Sequence, residues 1–151
     1  METITIQSDK AQMRLAEDFV CNVCDQLNLH NYLATIATSV MQAVENAITH
    51  GNGGDKRKRV VITSDVCKGG LYFTVQDEGN GFDWHQYGDM PQEGDKGVGI
   101  FMMRMLSDKM EFSERGDSVR LEFVVTGIDK ALATHRAGCL QRFFANTTVK
   151  A

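Results

Sequence analysis

The chain has 151 residues, a length that lets one domain bury roughly 70% of its unfolded surface without disulfide staples. It is 42% hydrophobic and 24% charged with a single proline, a composition that excludes disordered and fibrous chains. Sixteen basic against 20 acidic side chains leave a formal charge of -4, which argues against a general nucleic-acid or anionic-membrane binder.

Residues 2–7 alternate β-branched and polar side chains, the period-two signature of a half-buried strand. Ser8 or Asp9 can cap the helix that follows, whose apolar stripe is Met13, Ala16, Phe19, Val20, Val23 and Leu27. Residues 28–31 read as a turn. A second helix spans about Tyr32 to His50, with Leu33, Ile36, Ala37, Val40, Val44, Ala47 and Ile48 apolar, and Gly51-Asn52-Gly53-Gly54 stops it. Arg59 to Asp65 and Leu71 to Gln76 then pair around Lys68-Gly69-Gly70. From Glu78 to Gly99 the chain is rich in glycine, holds its only proline and loses periodicity, as a functional loop does. A helix resumes near Val98. A closing hairpin of residues 109–114 and 118–125 turns at Arg115-Gly116-Asp117, and Asp129 can cap a last helix carrying Leu132, Leu140, Phe143 and Phe144. This order predicts an α+β fold, a two-layer sandwich with helices on one face of a mostly antiparallel sheet. No run approaches the ~20 apolar residues of a membrane span. The absence of a secretory pattern and four cysteines point to a reducing cytoplasm and free thiols.

Three constellations carry chemistry. In the second helix, Gln42, Asn46 and His50 stack on one side at 3.6-residue spacing, with Glu45 in reach of the same patch. An asparagine amide oxygen suits Mg²⁺, a hard cation that prefers oxygen and keeps several waters. Next, Asp77-Glu78-Gly79-Asn80-Gly81 follows a strand: the carboxylate can accept from an exocyclic amine, and the glycines let backbone approach a flat ring. Last, Gly94-Asp95-Lys96-Gly97-Val98-Gly99 opens a helix, where free amides and the macrodipole attract phosphates. Taken singly, each is also an ordinary amphipathic face, turn or helix start.

Their order and separation are more specific. The chain resembles the GHKL, or Bergerat-fold, ATPase superfamily, which uses an N box, a DxGxG box and a GxG box in that order. It is most similar to the anti-sigma-factor serine/threonine-protein kinase branch. Asn46-Ala47-Ile48-Thr49-His50-Gly51 matches N-A-x-x-H-G, and Gly97-Val98-Gly99-Ile100-Phe101-Met102-Met103-Arg104 matches the glycine-led helix. Asp108-Lys109-Met110-Glu111-Phe112 matches D-x-[VM]-E-[YF]. The resemblance covers about residues 1–126, an ATP-binding domain, and leaves 127–151 as a C-terminal helical extension.

The resemblance implies ATP and Mg²⁺ as ligands. Asn46 would ligate the metal, and Asp77 would read the adenine amine. Gly79 and Gly81 would shape the base pocket, and the amides around Gly97, Val98 and Gly99 would hold phosphates beside Lys96 and His50. Residues 82–96 would form the ATP lid. It also implies a sigma-factor-like partner and an antagonist protein phosphorylated on serine. Where the branch places a general-base glutamate four residues before its asparagine, this chain has Gln42, whose amide orients a hydroxyl but cannot take its proton. Glu45 is the replacement candidate, in a Glu-Asn order that resembles histidine-kinase N boxes. Two alternatives stand beside the kinase: an ATP-binding switch without useful turnover, and a detached histidine-kinase-like catalytic domain.

Outside these boxes, Cys21-Asn22-Val23-Cys24 reads as free helix thiols before it reads as a zinc or redox pair. Lys56-Arg57-Lys58-Arg59 reads as a solvated hairpin edge. Trp84 and Tyr87, large aromatics in a polar loop, point to packing on a ligand or partner. The C-terminal helix either covers the sheet edge or mediates a homodimer or partner contact.

Overall fold

The computed structural model describes residues 1–87, 95–125 and 142. Strand β1 (Glu2–Gln7) leads through a short 3₁₀ turn into helix α1 (Met13–Gln26), followed by α2 (Leu33–Asn46). Strands β2 (Arg59–Cys67) and β3 (Gly70–Gln76) precede α3 (Asp95–Leu106), and β4 (Lys109–Phe112) and β5 (Ser118–Val124) complete the order. The five strands form one sheet in the order β1-β2-β3-β5-β4, with every neighbouring pair antiparallel. The expected last helix lies outside the described residues.

Alternation decides which face of the sheet is covered. Ile6, Val60, Ile62, Leu71, Phe73, Val75, Val119, Leu121 and Phe123 are buried together with residues of all three helices. Their neighbours Thr5, Val61, Thr63, Tyr72, Thr74 and Arg120 point the other way and stay partly or fully accessible. On that second face the Arg120 guanidinium lies 3.7 Å from the Tyr72 ring centroid, and its Nε donates to Glu122 Oε1 at 2.8 Å. Phe73 anchors the core edge-on to Phe19 at 6.3 Å and to Phe123 at 6.5 Å.

Helix α1 buries Ala16, Val20, Val23 and Cys24, whereas Leu27, expected on the stripe, is 40% exposed because the chain has already turned there. Asn28 takes the left-handed conformation (φ 56) that ends a helix, and the Leu29 amide bonds back to the Cys24 carbonyl at 2.8 Å. Asp9 caps the turn before α1 by accepting from the Ala11 amide, while Ser8 is buried. Burial, with the neighbouring Cys21 thiol, pushes the Cys24 thiol up to about 11. Cys21, Cys24 and Cys67 are free.

Helix α2 packs against α1 on one flank and α3 on the other. Its buried set therefore exceeds one stripe and includes Ser39 and Ala43, which the apolar reading omits. Small side chains there admit α3, and Ser39 Oγ donates to the Met103 carbonyl at 3.5 Å. The helix also stops being regular at Asn46, earlier than expected. Ala47–Gly51 form a single π-helical turn, in which the Asn52 amide reaches back to the Ala47 carbonyl at 2.8 Å. Among the described residues, no helix is long and apolar enough to cross a membrane.

Candidate functional site

The C-terminal half of α2 is the spine of the site. Gln42, Glu45, Asn46, Thr49 and His50 border one cavity together with Lys10 and Val98. Asn46 and His50 also border a second cavity, of about 440 Å³ including its open mouth, whose other walls include Asp77, Gly81, Phe82, Phe112 and Asp117. These two residues thus stand between the spaces. His50 is exposed and Asn46 half-buried. The Glu45 carboxylate lies 4.0 Å from the Lys10 ammonium, an exposed pair of small energetic weight.

At the tip of β3, Asp77 is fixed from several sides. Its backbone amide donates to the Asp117 carbonyl at 2.9 Å, and its Oδ1 accepts from the Gly79 amide at 2.8 Å. A methyl group at Gly51 would run into the Asp77 carboxylate, and one at Gly79 would strike the Gly51 carbonyl. Two glycines therefore let the end of the π turn lie directly on the Asp77 loop. Gly81 (φ 81) turns that loop against the Arg115 carbonyl, and the Phe82 amide donates to the same carbonyl at 2.9 Å.

Glycines at the start of α3 serve different ends. Gly97 and Val98 lie in the first described turn of α3. Gly99 follows them. Its contribution is space: a Cβ there would sit 2.9 Å from Asn46 Nδ2 and 3.2 Å from Gln42 Oε1. The early start of α3 also shortens the expected lid, since 95 and 96 are helical and Trp84–Gln86 form a 3₁₀ turn. Residues 88–94 and the Lys96 side chain lie outside what the structure describes.

The three boxes thus converge: Asn46 and Gln42 touch the α3 start at Gly99, while Asn46, His50, Asp77 and Gly81 wall a common cavity. Trp84 and Tyr87 belong to this region through an aromatic rim. Phe82 meets Tyr87 at 5.8 Å and Phe112 at 5.2 Å, Trp84 lies 5.9 Å from Phe112, and the indole donates to the Ser113 carbonyl at 3.0 Å. Asn52, which the sequence assigned only to a helix stop, lies behind the Asp77 loop. It is 3% exposed, donates from Nδ2 to the Arg59 carbonyl at 3.0 Å, and accepts at Oδ1 from the Glu78 amide at 2.8 Å. A buried asparagine beside two glycines was the available signal. Of the basic run, Arg57 pairs with Asp55 and Lys56 with Asp9, and the Arg57 guanidinium holds the Asp55 carboxyl below the usual range.

Among the described residues no group of three or more His, Cys, Asp or Glu side chains gathers as a metal cluster. The donor set is instead oxygen-poor: the Asn46 and Gln42 amides, with Glu45 on the same cavity. That suits Mg²⁺ carried in by phosphates, which takes few protein ligands, and the missing side chain at Gly99 keeps the Asn46 amide uncovered.

Residues 6–123 match the family model described as histidine kinase-like ATPase domain. The anti-sigma F factors of Clostridium perfringens strains SM101 and 13 are each 31% identical over 96 residues, covering 59% of this chain and 69% of the relative. Among solved structures, the histidine kinase domain from Erythrobacter litoralis EL346 blue-light activated histidine kinase aligns at 23% identity with a TM-score of 0.49. That alignment covers 71% of this chain and about half, 49%, of the other.

Proposed function

Because the chain belongs to the histidine kinase-like ATPase domain family, in its anti-sigma-factor branch, we propose that it binds Mg-ATP and phosphorylates a serine of an antagonist protein. In this reading residues 1–126 are the ATP-binding unit, 127–151 are an extension, and the protein acts in a reducing cytoplasm on a sigma-factor-like partner. One observation carries the reading: an amide-bearing helix, an acid-tipped strand and a glycine-led helix start border the same pair of adjoining cavities.

Each residue then has a task. Asp77, held by the Gly79 amide and pressed against Gly51, presents its second carboxylate oxygen to an adenine amine. Phe82, Phe112 and Val75 give that base an apolar slot. The amides of the glycine-led α3 start, around Gly97, Val98 and Gly99, would meet the phosphate chain. Asn46 would hold Mg²⁺, which supplies charge neutralisation to the phosphates when bound. Gln42 lies where it can orient an acceptor hydroxyl, and Glu45 is the carboxylate able to take the proton from it.

The acid-base chemistry favours a second reading. Gln42, which stands where the branch has its general base, cannot take a proton, so binding without useful turnover, a nucleotide-driven switch, is the second reading of the same site. Thermal melts with Mg-ATP and Mg-GTP test the binding: a ligand selective for the folded state raises its stability, and the rise should be larger with ATP. No rise at millimolar nucleotide rejects the site. Asn46→Ala should remove the magnesium-dependent part of the rise. Transfer of label from γ-labelled ATP to a candidate antagonist separates kinase from switch, and Gln42→Glu should speed it if the missing base is what limits the reaction.

A further inference from the structure

Asn52 ties the end of the π turn to two other segments, the start of β2 and the loop after β3. The π turn at Ala47–Gly51 adds a residue to the helix end, which moves position 52 around the axis and buries it. From there its amide makes two bonds to two different segments, the Arg59 carbonyl at the start of β2 and the Glu78 amide just after β3. The ring closes because the Arg59 amide donates to Glu78 Oε2 at 2.6 Å. Glu78 lies between Asp77 and Gly79, whose amide orients the Asp77 carboxylate. The bond from Glu78 to Asn52 therefore sets the height of the peptide from which Asp77 projects, relative to a turn that carries His50 and follows directly on Asn46.

We propose that Asn52 is a positioning residue for nucleobase discrimination, acting through the Glu78 amide on the Asp77 carboxylate. This rests on the reading of the cleft as an adenine-nucleotide site. A carboxylate that accepts from an exocyclic amine discriminates only if it is held within a few tenths of an ångström. Inosine triphosphate carries an oxygen where ATP carries that amine, so it is left facing a carboxylate with no donor between them. The ATP-to-ITP affinity ratio thus reports the position of Asp77, whereas a merely structural residue lowers both affinities together.

Both affinities should be measured by calorimetry, in the full chain, for wild type, Asn52→Ala and Asn52→Asp. Wild type should favour ATP by roughly tenfold or more, the usual weight of a hydrogen bond to a charged acceptor. Asn52→Ala should reduce that ratio to about threefold or less, since nothing then holds the Glu78 amide. Asn52→Asp keeps an acceptor for that amide while losing the donor to Arg59, and should hold the ratio within about threefold of wild type. If the alanine variant does not fold, Asn52→Leu, which keeps the γ-branched shape, removes the same two bonds and is read the same way. An unchanged ratio in the alanine or leucine variant overturns the proposal, as does a ratio lost equally in the aspartate variant. A wild type that binds neither nucleotide, or binds both alike, instead overturns the adenine-site reading and this inference with it.

Discussion

Gly99→Ala separates fold from function more sharply than any other single change at this site. The position lies inside α3, where alanine is better than glycine by up to about 1 kcal/mol, or roughly 2–4 °C in a domain of this size. Against that gain, the new Cβ would meet Asn46 Nδ2 at 2.9 Å, Asn46 Oδ1 at 3.1 Å and Gln42 Oε1 at 3.2 Å. Ordinary contact with carbon begins near 3.5 Å, so the Asn46 amide must retreat by about 0.5 Å or more. It is the end of a rotatable side chain, and leaving its rotamer costs about 1 kcal/mol. Gain and cost nearly cancel, and the unliganded variant should melt within about 4 °C of wild type. Ligation responds differently. Displacing a metal-holding group commonly weakens binding 10- to 100-fold. At a nucleotide concentration that stabilises wild type by about 2.7 kcal/mol, a 100-fold weaker variant would gain only about 0.4 kcal/mol. The assay is a thermal melt across a Mg-ATP titration. A variant with an unchanged unliganded midpoint and the full wild-type response would show that Asn46 does not hold the metal.

Other expectations follow from neighbouring contacts. Gly51→Ala drives a Cβ into the Asp77 carboxylate, which the Gly79 amide holds in place, so denaturant melts should show a loss of about 1–3 kcal/mol and ATP should lose its advantage over GTP; an unchanged midpoint would refute the contact. Trp84 is the only tryptophan and packs on Phe112 at the cavity rim, so its emission should change as Mg-ATP is titrated; a flat signal at saturation would detach the aromatic rim from the nucleotide. Cys24 gives a pH signature. Its folded-state value is raised from 9.0 to about 11, so the native state keeps a proton that the unfolded chain releases. The associated stability is complete below pH 9 and is lost as pH climbs toward 11, by up to about 2.7 kcal/mol. Wild type minus Cys24→Ala stability should fall across that window, and a constant difference from pH 8 to 11 would contradict the burial argument.

Which parts of the molecule were legible in the sequence depends on how far apart the interacting residues lie along the chain. Period-two alternation marked the strands and the covered face, because a strand's burial pattern is local: Val60 and Ile62 go in, Val61 and Thr63 do not. The α2 stripe was only partly readable. Ser39 and Ala43 are buried by α3, more than fifty residues away, and nothing near them in sequence announces that partner. The end of α2 failed for the same reason. A regular helix to His50 satisfies every local rule, yet the turn widens, and Asn52 then bonds to Arg59 and Glu78 from two other segments.

The glycines show where a motif reading stops. The resemblance implies one shared role for Gly97 and Gly99 as phosphate-holding amides. The structure adds a reason of another kind at Gly99, which is small because Asn46 and Gln42 occupy the volume a side chain would need. Gly51 and Gly79 likewise owe their smallness to each other and to Asp77. Four of the glycines in these boxes, Gly51, Gly79, Gly81 and Gly99, are therefore records of close approach between distant segments. A sequence shows that such a position carries no side chain; it takes the fold to show whose atoms fill the space, and those atoms belong to the side chains of Asn46, Gln42 and Asp77 and to the Gly51 and Arg115 carbonyls.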